Sequence, residues 1–321
     1  MAEIDISDAA TAGLKLVGRR PLSVLVWGLL LTGYTTLILV LFGGSLIGAI
    51  TAMVKNGTAQ PAPAQIFALI GSALGVVLLL WIGLIFLGAV VQGAAIRAEL
   101  EPDDRSFAYL KFGRQELWLV GVNVVMGVVL WAAQMAMSIP LAILTIGMAA
   151  GSVGSANAHD ASGFAAAMAG TIGIRLIGQL VIAAVTIWLW LRLCLGPVMS
   201  FRDRQFRLFE SWNLTKGHAG RMFLAMLLVG LMLVVVYVAF WIILAAGIGF
   251  TVFANAGSAQ SAQAFFSQPP DVWIGKLLPL LALLGLLTVV AVGVVTAMTW
   301  GSVARMYRQL NPDADVATTF A

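Results

Sequence analysis

The chain has little charge. Of its 321 residues only 10% are Asp, Glu, Lys or Arg, against about 25% in soluble domains. It has one cysteine, Cys194, so neither a disulfide framework nor a thiolate metal site can form within one chain. Its two histidines, His159 and His218, stand 59 residues apart (218 − 159). The topology derived below puts them on opposite sides of a membrane, so they share no metal, and His159-Asp160 reads as a solvated loop pair. No Asp or Glu falls in the middle of a long apolar run. A proton-coupled carrier usually needs such a carboxylate relay. There is no Gly-x-Ser-x-Gly nucleophile turn and no phosphate-cradling glycine loop. These absences argue against an enzyme, a resident cofactor and a metal centre.

What the chain has instead is apolar length. Hydrophobic residues make up 61%, with a mean hydropathy of +0.99. Six runs, 21–54, 66–96, 117–150, 164–199, 222–254 and 272–306, each exceed the roughly 20 residues that cross a bilayer. The first is long enough to be tilted, to protrude, or to break at Gly43-Gly44. It also exceeds the roughly 7–15 residues of a signal-peptide core, so no cleavable leader is expected. Pro140 and Pro279 are expected to kink their helices.

The few cations gather at one set of helix ends: 15–20, 97–114, 202–221 and 305–308. Toward the other ends lie only Lys55, Lys276 and, deeper in its run, Arg175. The positive-inside rule then puts both termini and both charged connectors in the cytoplasm. The net charge of +4 is the charge of those flanks, not of a nucleic-acid-binding face.

The most charged stretch is RDRQFRLFESWNLTKGHAGRMF, from Arg202. It combines Arg202, Arg204, Arg207, Lys216 and Arg221 with Phe206, Leu208, Phe209 and Trp212. A basic amphipathic segment between two spans reads as a helix on the membrane surface. The earlier connector repeats the theme with Arg105, Lys111 and Arg114. The spacing predicts surface helices over 103–113 and 204–216, holding Phe107, Leu110, Phe209 and Trp212 in the bilayer interface. Residues 1–20 predict a third amphipathic helix. Asp5 or Ser7 is its cap, Ile6, Ala10, Leu14 and Val17 its apolar face, and Gly18 its end.

TAGLKLVGRRPLSVLVWGLL, SFAYLKFGRQELWLVGVNVV and SWNLTKGHAGRMFLAMLL align on Leu14, Leu110 and Leu214. The chain therefore reads as one integral-membrane domain, 1–321, in three hairpin units, 1–100, 101–201 and 202–310. A polar, disordered tail is expected over 311–321. The expected fold is an all-α polytopic bundle of six transmembrane helices with amphipathic interfacial helices.

SFAYLKFGRQELWL and FESWNLTKGHAGRMF resemble segments of a group of bacterial six-span proteins. That group includes the membrane domain fused to some glycerophosphoryl diester phosphodiesterases. The resemblance covers most of the chain, through short motifs. It implies a six-helix module of the bacterial inner membrane associated with lipid or envelope metabolism. The catalytic barrel of the fused enzyme has no counterpart here, so its activity is not implied.

Within the spans, Arg175 is the one ionisable residue that hydrocarbon could surround. It precedes Arg192 by 17 residues, about 25 Å of helix. It reads either as a snorkelling anchor at the outer interface or as a buried contact for an anion or lipid phosphate. Asn123, Gln134 and Gln179 are mid-span amides, suited to helix–helix hydrogen bonds or to a polar path. Trp118, Trp188, Trp190 and Trp212 suit an inner aromatic belt and Trp273 an outer one. Gly44 with Gly48, Gly71 with Gly75, and Gly147 with Gly151 are candidate sites of close helix approach. The functional expectation is a non-enzymatic scaffold or accessory protein. Its partners would be anionic membrane lipids or another membrane protein, with Arg105, Lys111, Arg114, Arg202, Arg204, Arg207, Lys216 and Arg221 as the binding cations. The alternative is a transporter or channel for a lipid or other apolar molecule.

Overall fold

The computed structural model describes residues 4–55, 63–104, 106–155, 161–256 and 270–311. The regular elements among them are all helical: α1 (Ile6–Arg19), α2 (Pro21–Lys55), α3 (Pro63–Leu100), a 3-10 turn (Phe107–Tyr109), α4 (Arg114–Ser155), α5 (Ala161–Leu193), α6 (Gly196–Asp203), α7 (Ser211–Leu214), α8 (Ala219–Ala256) and α9 (Pro270–Leu310). Six of these, α2, α3, α4, α5, α8 and α9, are long and apolar enough to cross a membrane. The chain is an all-α, multi-pass membrane protein, as its apolar runs require. Arg105, the His159-Asp160 pair and the tail from 312 onward lie outside the described residues.

The helices outlast the bilayer. The 35 residues of α2 measure about 52 Å at the α-helical rise, and α2 runs unbroken through Gly43 and Gly44. Pro140 and Pro279 lie inside α4 and α9 without ending either helix.

Two compact units divide the chain: Met1–Val120 with Gly220–Ala321, and Gly121–Ala219. In the first, α9 packs on α1, α2 and α3, and α2 packs on α3. The contact with α9 is made by missing side chains. A Cβ at Gly28 would overlap the Val289 carbonyl oxygen, and one at Gly293 would overlap that of Val24. A Cβ at Gly13 would overlap the Met298 backbone, and one at Gly301 would stand 3.1 Å from the Gly13 Cα. In hydrocarbon, apolar burial gives helices little reason to associate, so this backbone-to-backbone fit carries much of the contact. Trp27, wholly buried, fills the space beside it with Leu16, Val24, Val91 and Ala297.

The seam corrects two expectations. Gly44, Gly48, Gly71, Gly75, Gly147 and Gly151 have nothing within 4 Å of a Cβ position among the described residues. Helical spacing marked those glycines, but a close approach needs a partner helix at the same depth. The second correction concerns α1. Asp5 caps it, with its Oδ1 accepting from the Asp8 N–H at 3.1 Å, and it ends at Arg19 rather than Gly18. Its buried residues are Ala9, Ala10, Ala12, Gly13 and Leu16, while Leu14 is half exposed. Four of these five are alanine or glycine on the face that α9 approaches: Ala9, Ala10, Ala12 and Gly13 leave room for the α9 backbone at Met298.

In the second unit, α4 and α5 meet where a Cβ at Gly178 would strike the Leu141 side chain. Val122, Leu193 and Leu208 form its core, with Val125, Met126 and Leu189 packed around them.

The seam predicts opposite outcomes for two glycine-to-alanine changes. Gly28→Ala should destabilise the purified protein by roughly 1–3 kcal/mol through overpacking. Gly147→Ala meets open space and should leave the detergent melting temperature equal or slightly higher, since alanine favours helix. Thermal unfolding of both variants checks this.

Candidate functional site

The polar chemistry lies at the basic helix ends. Near the end of α3, Arg97 is 1% exposed. Its Nη1 donates to the Tyr109 carbonyl at 2.5 Å and its Nη2 to Glu116 Oε1 at 2.5 Å, and its Nε lies 3.8 Å from Asp104 Oδ2. Glu116, itself 1% exposed, also accepts the Gly113 N–H at 2.8 Å, which caps the start of α4. The connector is thereby tied down as a 3-10 turn, not as the surface helix expected over 103–113. Ala108 and Tyr109 take left-handed backbone angles, φ 50° and 57°, which non-glycine residues seldom adopt. Trp27 Nε1 holds the Ala108 carbonyl at 2.9 Å. Lys111, 2.6 Å away, keeps the Asp104 carboxyl below its ordinary range, helped by the Ser106 N–H. Lys111 is therefore already paired, and Arg114 lies exposed at the start of α4.

The same device closes the first unit at α1. Arg305, near the end of α9, reaches Asp8 at 2.6 Å and Glu99 at 3.5 Å. Gln309 Nε2 donates to the same Asp8 oxygen at 3.1 Å, and Lys15 lies 2.8 Å from its other oxygen. Lys15 and Arg305 hold the Asp8 carboxyl down at about 2.

After α5 the arrangement changes. Gly196 lets Leu208 pack against the start of α6: a Cβ there would stand 2.7 Å from Leu208 Cδ1. Arg204 ends α6 in the left-handed region, φ 53°. The Ser200 hydroxyl accepts the Arg207 N–H at 2.9 Å. Ser211 Oγ lies 2.8 and 2.6 Å from the carbonyl oxygens of Arg192 and Leu208 and shares its one proton between them. The expected helix over 204–216 is thus replaced by a folded loop and the single turn of α7, because these side-chain bonds satisfy the backbone that a helix would have satisfied. Arg207 is bridged to Asp203 at 2.9 Å and Glu210 at 3.5 Å. Arg204 and Lys216 are exposed and Arg202 is half-buried. Phe206, Phe209 and Trp212 are exposed beside them.

Arg192 sits among these groups. Its guanidinium lies 5.9 Å from the Trp188 ring centroid and 5.6 Å from that of Trp212. Those rings meet edge to face at 5.2 Å. Its Nη1 makes a long contact, 3.5 Å, to Thr215 Oγ1. Sequence reasoning took Arg97 as a topology signal and used Arg192 only to place Arg175 along its helix. The repeated pattern Arg-x-x-Leu-x-Pro, at Arg97–Pro102 and Arg192–Pro197, was the signal that could have found them.

The remaining candidates scatter. Arg221 is half-buried at the start of α8. Arg175 and Gln179 are exposed one turn apart on α5, Gln134 is exposed on α4, and Asn123 is half-buried on the same helix.

No family model, curated protein or solved structure matches the chain.

Two measurements test these ties. Removing Glu116 leaves a buried guanidinium without its carboxylate, so Glu116→Ala should cost roughly 3–5 kcal/mol. Unfolding in detergent reads this, with Lys111→Ala expected to stay within about 1 kcal/mol as an exposed pair. For Asp8, the folded value of about 2 lies below the ordinary 3.8. Its contribution is complete above about pH 4 and is lost as the pH falls toward 2. The melting temperature of wild type should drop more steeply across that window than that of Asp8→Asn.

Proposed function

We propose that this chain is a non-enzymatic protein of the bacterial inner membrane, a scaffold or accessory subunit whose cytoplasmic basic face holds anionic phospholipid. One observation carries the reading. The loop between α5 and α8 exposes Arg204 and Lys216 together with Phe206, Phe209 and Trp212 on one short, well-braced segment. Large apolar side chains enter the bilayer interface while cations meet lipid phosphates, and either alone binds weakly. Each exposed cation near an anionic surface adds about 1 kcal/mol. The resemblance of FESWNLTKGHAGRMF to membrane domains linked with lipid metabolism points the same way. A second reading, transport of a lipid or other apolar molecule, draws on an open groove of about 470 Å³ on α8, lined by Tyr237, Trp241 and Ala245.

Two experiments test the reading. Reporter fusions at Asn157 and Ala321 should report opposite compartments; agreement between them overturns the topology. Arg204→Gln with Lys216→Gln should insert normally but show a weaker preference for phosphatidylglycerol over phosphatidylcholine at low salt. Arg207, already bridged, should matter less. Unchanged preference in the double variant removes the loop from the account, and lipid exchange catalysed between vesicles by wild type favours transport.

A further inference from the structure

The near-repeat of the chain supplies an internal control for Arg192. Arg97, Arg192 and Arg305 all stand in the last two turns of a returning helix, α3, α5 and α9. Arg97 faces Glu116 and Asp104, and Arg305 faces Asp8 and Glu99. Among the described residues no carboxylate reaches Arg192. Its walls are Trp188 and Trp212, and its Nε is buried with no acceptor. Tryptophan faces attract a cation but neither neutralise it nor accept its N–H bonds in its plane. A fixed, half-buried guanidinium thus lacks the anion that its two counterparts have.

We infer that Arg192, bracketed by Trp188 and Trp212, is a binding site for the phosphate of an anionic phospholipid. This deepens the reading above and rests on it. The class of ligand follows from what surrounds the guanidinium. A phosphodiester offers two equivalent oxygens that match the guanidinium fork. Arg192 stands in the last turn of the long apolar helix α5, where the anions nearest at hand are the headgroups of the membrane itself. From Arg192 a stripe runs along the same face of α5 through Trp188, Ala184, Val181 and Ile177, at helical spacings of three and four. All four are exposed, Val181 to 52% and Ile177 to 65%. An acyl chain lies along such a stripe when its headgroup is at Arg192. Arg204 and Lys216, exposed on the adjoining loop, add attraction without geometry. Arg207 does not, being bridged to Asp203 and Glu210.

Salt separates the site from the surface. At about 1 M salt the Debye length falls to about 3 Å, so exposed cations release lipid while a half-buried pair is screened far less. Full-length protein in mild detergent would be loaded with equal phosphatidylglycerol and phosphatidylcholine, washed at low and high salt, and read by native mass spectrometry. Wild type should keep phosphatidylglycerol through the high-salt wash. Arg192→Lys, which retains the charge but not the fork, should keep at least about tenfold less. Arg204→Gln with Lys216→Gln should lose the low-salt excess and keep the resistant lipid. Inorganic phosphate and glycerol phosphate, lacking tails, should displace neither. Equal high-salt retention in Arg192→Lys overturns the site, and displacement by inorganic phosphate overturns the lipid as its source. Absence of phosphatidylglycerol from wild type even at low salt instead overturns the reading on which the site rests, and the site with it. Arg192→Lys can misfold, so wild type also carries a test. A headgroup-photoreactive phosphatidylglycerol should label 188–192 or 211–216, and labelling confined to other segments overturns the site.

Discussion

Hydrocarbon removes the force that folds soluble proteins. Once α2, α3, α8 and α9 are in a bilayer, lipid tails satisfy their leucines as well as a neighbouring helix does. The helices reflect this: between 6% and 22% of each span's most apolar stretch is buried. What holds the first unit together must therefore be contact that lipid cannot imitate. The structure has two kinds. Gly28 against Val289 and Gly293 against Val24 bring backbones together, and Arg97 and Arg305 fix the helix ends to carboxylates and carbonyls. The buried face of α1 goes with its close approach to α9 at Gly13 and Gly301, and the left-handed turn at Ala108 and Tyr109 is held by Trp27 and Arg97.

The two kinds of contact divide the labour by depth. Glycine contact works where there is no water and no charge. Arginine ties work at the ends, where desolvation is partial and a wrong partner is excluded by geometry. In the first unit both ties use acids placed by local structure. Glu116 stands at the third position of α4, where it also caps the helix, and Asp8 stands in the first turn of α1, where the helix dipole favours an acid. The second unit keeps the arginine, Arg192, and replaces the acids with tryptophans. A change of partner at a comparable place, the end of a long apolar helix, is the physical basis for reading function there and structure elsewhere.

Much of the fold was legible because hydrophobic length reports directly on a bilayer. The six spans, the cap at Asp5 and the amphipathic first helix needed nothing more. The glycine seam was not legible. Gly28 and Gly293 lie far apart in sequence and share no four-residue spacing, whereas Gly147 and Gly151 have the spacing without the neighbour. The connectors were misread for a related reason. Phe206, Phe209 and Trp212 do recur at helical intervals, but Ser200 and Ser211 capture the backbone first. Arg97 was counted as a topology charge and Arg192 served only as a marker of depth, since a sequence shows charge but not whether a counter-ion is in reach.

The central claim is that Arg192 holds an anion the chain does not provide. A high-resolution cryo-electron microscopy reconstruction of the full-length protein in phosphatidylglycerol nanodiscs addresses it directly. The account predicts a phosphate density within hydrogen-bond distance of the Arg192 guanidinium, between Trp188 and Trp212, with tail density along Val181 and Ile177. An Asp or Glu side chain on the guanidinium, or a site occupied by water alone, contradicts it.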